Sequence, residues 1–192
     1  MITNLYGQEG KMMDPRDGKE YKTVQIGAQI WMAQNLAYDS PNIQSDCYKD
    51  SASNCEKYGR LYMWEVANVC PSGWHLPSKE EVESLLKSID GDIHHAYTAL
   101  RIGGSSGLGV LLGGYYFYSD PPPFSAPTGH SLVEGVGVLW TSTEGGHPSV
   151  IKSSKNQIKT WAHTLALSAK KKRAVIGYLR KKSAISVRYI KD

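Results

Sequence analysis

The chain has 192 residues, long enough for one domain or two small ones with a real core, and neither its 41% hydrophobic nor its 21% charged content departs from ordinary globular practice. No window approaches the 18 or more consecutive apolar residues of a membrane-spanning helix, and the start, MITNLYGQEGKMMD, lacks the apolar stretch of a signal peptide. The expectation is therefore no membrane span, leaving either a cytoplasmic protein or one whose export signal, alone or with a lipid anchor, lies upstream. The aromatic balance is unusual, 12 Tyr and 5 Trp against 2 Phe. Tyr and Trp carry a polar handle, so they suit strand surfaces and ligand contacts as well as cores.

In chain order, residues 1–16 are mixed in character and are expected to be loosely ordered, leaving 17–192 as a single domain. DGKEYKTVQIGAQIWMAQNL predicts a hairpin: a turn at Asp17 and Gly18, a strand from Tyr21 to Ile26, a two-residue loop at Gly27 and Ala28, and a return from Gln29 to Ala33 with Trp31 available for the core. Residues 38–58 read as a polar loop containing Cys47 and Cys55. GRLYMWEVANVC predicts a short helix near residues 61–68, stopped by Pro71 and Gly73.

The clearest local signal is LPSKEEVESLLKSI. Ser78 followed by Glu81 makes a capping box, and Val82, Leu85, Leu86 and Ile89 form one apolar stripe at helical spacing, ended by Gly91. From about 91 to 137 the Gly- and Pro-rich sequence predicts irregular structure, the place where ligand binding is most plausible. Strands return at 138–143, 160–168, 174–179 and 184–190. Strands at both ends with helices between predict an α+β class, the two chain ends joined in one mainly antiparallel sheet with two helices packed on it.

Three cysteines cannot all pair within the chain. Cys47 and Cys55 enclose CYKDSASNC, a polar loop unable to supply its own core, and a bridge there is worth about 2.5 kcal/mol in the chain-entropy model. Two unpaired surface thiols are the alternative. A zinc site is disfavoured because the spacing is not CxxC and no His lies between Cys47 and Cys70.

CPSGWHLPSKEEVESLL, together with DGKEYKTVQIGAQIWMAQNL, YGRLYMWEVANVC, LGGYYFYSD, LWTSTE and ISVRYIKD, resembles the Fibrobacter succinogenes major paralogous domain family. The matching segments run in family order from about residue 14 to the end. The resemblance implies a C-type-lectin-like fold related to the formylglycine-generating fold, in surface or secreted proteins of Bacteroidetes-type bacteria, and hence an extracytoplasmic location. Two departures stand out: the family usually has Trp at the position of Val82 and Cys at that of Tyr189. If Cys70 partners that terminal cysteine in relatives, the resemblance implies that Cys70 here is a free, buried thiol.

Calcium-dependent lectins of that fold signal their site by EPN, QPD or WND, and none of these strings occurs. Calcium needs six to eight oxygens, whereas residues 91–137 offer only Asp92, Asp120 and Glu134 as carboxylates, so binding is expected to be calcium-independent and no metal or cofactor is expected. Formylglycine-type oxidation would need a late cysteine pair, and all three cysteines fall in the first 70 residues. Ser105 and Ser106 in GGSSG read as flexible loop rather than as a nucleophile elbow, although Ser105 has the GxSxG spacing, and no GK[ST] phosphate loop is present, so no catalytic residue is assigned. His75 in GWHLP reads as structural, and the adjacent His94 and His95 would point apart on a regular element.

The run Tyr115, Tyr116, Phe117, Tyr118 alternates faces if it is a strand, with one face in the core. The other face, carrying Tyr116 and Tyr118 and flanked by Phe124, His130 and Trp140, is the expected ligand surface. The basic clusters at Lys170 to Arg173 and Arg180 to Lys182 read as solvated turns at opposite sheet ends, which argues against a nucleic-acid partner. The leading expectation is a non-enzymatic surface binding or adhesion module for a glycan or protein. An enzyme on a formylglycine-like scaffold and a structural subunit of a surface assembly are the alternatives.

Overall fold

The computed structural model describes residues 6–118, 130–146 and 159–192. It is a mixed α+β domain. Strands β1 (Tyr6–Met13), β2 (Glu20–Ile26), β3 (Gln29–Met32), β12 (Ile190–Lys191) and β6 (Trp74–His75) form one sheet in the order β1-β2-β3-β12-β6. The predicted hairpin is there, with Val24 opposite Trp31 and Thr23 opposite Met32. Gly27 turns the chain with a φ of 60°, a conformation that costs a residue without Cβ nothing. Ile190 pairs with Trp31 on one side and His75 on the other, so the closing strand is locked between the hairpin and the segment leading to the capped helix.

Residues 6–13 depart from the expectation of a loose N-terminal segment. They form β1, antiparallel to β2 with Met12 opposite Tyr21, and Met12 is buried. The pattern YGQEGKMM hides this because β1 is an edge strand, half polar and fastened by a Lys11–Glu20 ion pair, so it lacks the apolar run by which strands are read.

A second sheet is built from β9 (Val136–Glu144), β10 (Trp161–Ser168) and β11 (Arg173–Arg180) in the order β11-β10-β9. Helix α3 (Lys79–Ile89) touches β2 of the first sheet and all three strands of the second. Its N-terminus is closed as expected: Ser78 Oγ accepts from the Glu81 amide at 3.1 Å, and Glu81 Oε2 accepts from the Ser78 amide at 2.6 Å. Val82, Leu85 and Ile89 are buried beneath the sheets.

Three helical pieces differ from expectation. The chain is not irregular directly after residue 91, because α4 (Ile93–Leu100) follows, capped by Asp92 Oδ1 accepting from the His94 and His95 amides at 2.9 and 2.8 Å. Its buried face is Ala96, Ala99 and Leu100, a stripe at helical spacing whose alanines give too weak an apolar signal. Within the cysteine loop, α1 (Ala52–Tyr58) forms with no buried side chain. The helix expected at 61–68 is shorter: Leu61–Tyr62 is a strand, β5, paired with β4 (Ser45–Asp46), and only Trp64–Ala67 (α2) is helical.

Arg188 lies at the junction of these parts. Its side chain is fully buried and has no carboxylate partner among the described residues. Instead Nε donates to Asn35 Oδ1 at 2.7 Å, Nη1 to the carbonyls of Leu108 and, at 3.5 Å, Met32, and Nη2 to the Gly109 carbonyl at 2.9 Å. Burial pushes the guanidinium pKa down to about 9, which leaves it protonated at neutral pH. Asn35 in turn donates to the Tyr58 carbonyl at 2.8 Å and to Ser186 Oγ at 3.2 Å, so the network spans the hairpin, α1, the loop at 108–109 and the closing segment.

Arg188→Met is expected to cost on the order of 3 kcal/mol, because it leaves several buried acceptors without a donor, whereas Ser78→Ala removes one cap and costs about 1 kcal/mol. Urea unfolding of both variants checks the ranking. Equal midpoints would show that the buried cation is dispensable.

Candidate ligand-binding cleft

Strand β7 (Tyr115–Tyr118) pairs with β8 (His130–Val133), and its outer edge is stitched to the chain just past the second basic turn. The Tyr116 amide donates to the Ala184 carbonyl and the Ala184 amide donates back to Tyr116, both at 3.0 Å. The Tyr118 amide donates to Ser183 Oγ at 3.1 Å, and the Ser183 amide closes the turn onto the Arg180 carbonyl at 2.8 Å. Ser183 is fully buried, so these bonds hold Tyr118 beside residues 180–182. The result is a cleft of about 230 Å³ lined by Glu65, Tyr118, Lys159, Thr160, Arg180 and Lys182.

Three consecutive cations in this turn each stand over a ring from a different element. Arg180 Cζ lies 5.0 Å from the centroid of Trp161, Lys181 Nζ 3.8 Å from that of Trp64, and Lys182 Nζ 5.1 Å from that of Tyr118. Lys181 has a structural role: it is also ion-paired with Glu144, its amide donates to the Thr160 carbonyl at 2.9 Å, and its carbonyl accepts from the Trp64 amide at 3.1 Å. Arg180 and Lys182 line the cleft.

The two basic turns do lie at opposite sheet ends, but the expectation of a ligand surface apart from both of them is corrected. The turn after β10 does lie at the far end of β11, since Ser168 pairs with Arg173 there while Trp161 pairs with Arg180 at the other. The second turn, however, adjoins Tyr118. Sequence separation hid this: residues 118 and 182 meet only because Ser183 and Ala184 accept β7 as a neighbour.

The other expected ligand residues separate. Tyr116 packs against a small cluster of Tyr48, Leu61 and Ala184, and its hydroxyl donates to Asp50 Oδ1 at 3.3 Å; burial and then the nearby Asp50 carboxylate raise its pKa. Tyr115, on the opposite face, packs against a second core, the buried cluster around Tyr62, Val138, Trp140 and Tyr189, so both faces of β7 are engaged and Tyr118 alone of the four lines the cleft. His130 is paired with Tyr118 in backbone register. Phe124 falls outside the described residues. Trp140 is corrected from ligand surface to core: it is 0% exposed and its indole N–H donates to the Tyr62 carbonyl at 2.8 Å.

Elsewhere, the Arg188 network forms the floor of a second cavity of about 380 Å³, rimmed by Lys19, Gln34, Lys57 and Tyr58. Among the described residues, no group of three or more His, Cys, Asp or Glu stands where it could hold a metal ion, and no helix is long and apolar enough to cross a membrane. His94 Nδ1 is engaged with the Lys172 carbonyl at 2.7 Å. His75 bridges two carboxylates, Nδ1 to Asp192 Oδ1 at 2.6 Å and Nε2 to Glu81 Oε1 at 2.9 Å, and so ties the closing strand to the cap of α3.

Cys47 and Cys55 are joined in a disulfide, with their Cα atoms 5.0 Å apart. Cys70 is a free thiol, but half-buried rather than fully buried, and burial pushes its pKa up. Tyr189 belongs to the buried cluster against which Cys70 packs, and its hydroxyl donates to the carbonyl of Val69, the residue before Cys70, at 3.1 Å, so position 189 is a neighbour of Cys70 in the fold.

Residues 24–191 match the Fibrobacter succinogenes major domain, and the chain belongs to that family. No curated protein and no solved structure matches it.

Burial works against a charged His75, but hydrogen bonds to Asp192 and Glu81 outweigh it and raise the ring's pKa above its usual value. Glu81, although partly desolvated, is held below the usual carboxylate range by the Ser78 amide and His75. A raised base contributes stability below its unfolded value, about 6.5, which is lost as pH rises through the folded one; a depressed acid contributes above about 4.5 and loses it on acidification. The bridge should therefore stabilise most between about pH 4.5 and 6.5. The advantage in melting temperature of the wild type over His75→Gln should therefore shrink from pH 6 to pH 8, a comparison that cancels the opposite contribution of His163, whose pKa is lowered chiefly by burial; parallel curves would remove His75 from the pH response.

Thiol titration without reductant is expected to find one reactive group after denaturation and a slowly reacting one in the native protein. Three thiols would show that Cys47 and Cys55 are not bridged.

Proposed function

We propose that this member of the Fibrobacter succinogenes major domain family is a non-enzymatic binding or adhesion module at the cell surface, recognising a glycan or a protein without calcium. The observation that supports it is the cleft at Tyr118. A ring, a hydroxyl, a carboxylate and three cations converge there on a turn fixed by backbone hydrogen bonds. Rigid aromatic platforms lose little side-chain entropy on binding, and a pre-formed turn reduces the ordering cost of the site itself.

A role without chemistry suits this lining. General acid–base catalysis commonly draws on a histidine or a pair of carboxylates, whereas Glu65 is the one carboxylate among the described lining residues and stands with Lys159, Arg180 and Lys182. The same cations oppose a calcium ion, which would also want several more oxygens than Glu65 offers. A C-type-lectin-like arrangement is part of this reading and is favoured by the joined chain ends. An extracytoplasmic location is favoured by the Cys47–Cys55 bridge, since disulfides persist in oxidising compartments.

An array of glycans and extracellular-matrix proteins, screened with calcium and with chelator, tests the proposal. The expected result is a ligand bound equally in both conditions, lost in Tyr118→Ala with an unchanged melting temperature, and retained after charge reversal at Lys171 and Lys172. A ligand insensitive to Tyr118→Ala, or one that requires calcium, would refute this site.

A further inference from the structure

Resting on the reading of the Tyr118 cleft as a saccharide- or protein-binding site, we infer that its ligand is an anionic saccharide, a sugar ring carrying a carboxylate or sulfate. The charge of the lining is the first reason: among the described lining residues the cations Lys159, Arg180 and Lys182 outnumber the carboxylate Glu65. The second is how those cations are held. Arg180 and Lys182 stand over Trp161 and Tyr118, so their positions are set by flat neighbours, and the turn between them is anchored by Lys181 on Trp64 and Glu144. A guanidinium so placed offers paired donors matching the two oxygens of a carboxylate or sulfate.

The remaining lining argues for a sugar over other polyanions. Glu65 and Thr160 present oxygens to ring hydroxyls, which the backbone of single-stranded DNA does not offer. Single-stranded nucleic acid binds along grooves that present successive rings for successive bases. Here Tyr118, with Lys182 over one face of its ring, is the one aromatic residue among the described lining, so no row of successive rings is offered. A volume of about 230 Å³ lies below the roughly 300–1,000 Å³ of drug-sized pockets, which fits one unit of a polymer. An anionic sugar unit satisfies the ring, the hydroxyl partners and the cations together.

Calorimetric titration decides the matter with paired probes: oligogalacturonate against its full methyl ester, and a heparin hexasaccharide against its desulfated form. The expected result is a preference of about tenfold or more for the charged member of at least one pair, the pair that responds distinguishing carboxylate from sulfate. Arg180→Gln and Lys182→Gln are expected each to weaken that binding about fivefold or more, Arg180→Lys less, and Lys171→Gln not at all. On the unaltered protein, affinity should fall severalfold as sodium chloride is raised from about 50 to 300 mM, where the screening length drops well below 10 Å. Equal affinity within both pairs would overturn the anionic class while leaving a saccharide module standing. Equal competition by oligothymidylate of the same charge would overturn the saccharide class in favour of unselective polyanion attraction. Binding of neither these probes nor any glycan or protein on the array would instead defeat the underlying proposal.

Discussion

A buried guanidinium without a carboxylate is the constraint around which this domain is arranged. Removing such a charge from water is costly, and attraction to a single counter-ion often fails to repay it. Arg188 is instead satisfied by oriented dipoles, the carbonyls of Met32, Leu108 and Gly109 and the amide oxygen of Asn35. These acceptors come from separate stretches of chain, so the cation is fully solvated by protein only when the hairpin, the loop after α4 and the closing segment have all assembled. Gly109 adopts a φ of 65° there, which a residue with a Cβ would resist. The interaction thereby selects one arrangement of parts that apolar packing alone would permit to slide.

The cleft depends on that arrangement at one remove. From Arg188 the closing segment runs back through Ser186, which is bonded to Asn35, to Ala184 and Ser183, which hold β7. Ile185 pairs with Tyr62 on the way, and Trp140 donates to the same Tyr62. The position of Tyr118 relative to Arg180 and Lys182 is thus inherited from a chain of backbone bonds rather than from contacts among the cleft residues themselves. A cleft supported in this way can vary its side chains without loss of the scaffold, because its described lining includes a turn and a strand end.

In the second sheet, strand alternation does not sort aromatic residues into core and surface. Strand β9 is buried on both faces over Gly137 to Thr141, one side against the helices and the other against the second core. Alternation assigns faces only when one of them meets water. Trp140 therefore looked as available as Tyr118, though it is a core residue with its N–H satisfied. The same holds for Tyr116, whose face is covered by the disulfide-bearing region through Tyr48 and Asp50.

What the sequence determined by itself is what neighbours along the chain can enforce. Ser78 and Glu81 cap a helix because they are three residues apart, Gly27 and Ala28 turn a hairpin because two residues suffice, and the family follows from motifs kept in order. Even locally the reading thinned where the signal was faint, as with the alanine face of α4 and the polar edge strand β1. Tertiary structure alone decided that Arg188 is buried without a counter-ion, that Trp140 is core, and that Tyr118 stands beside Lys182. Each of these depends on segments some 60 to 150 residues apart meeting through backbone groups. Every residue carries the same backbone donors and acceptors, so their pairing leaves no mark on side-chain identity.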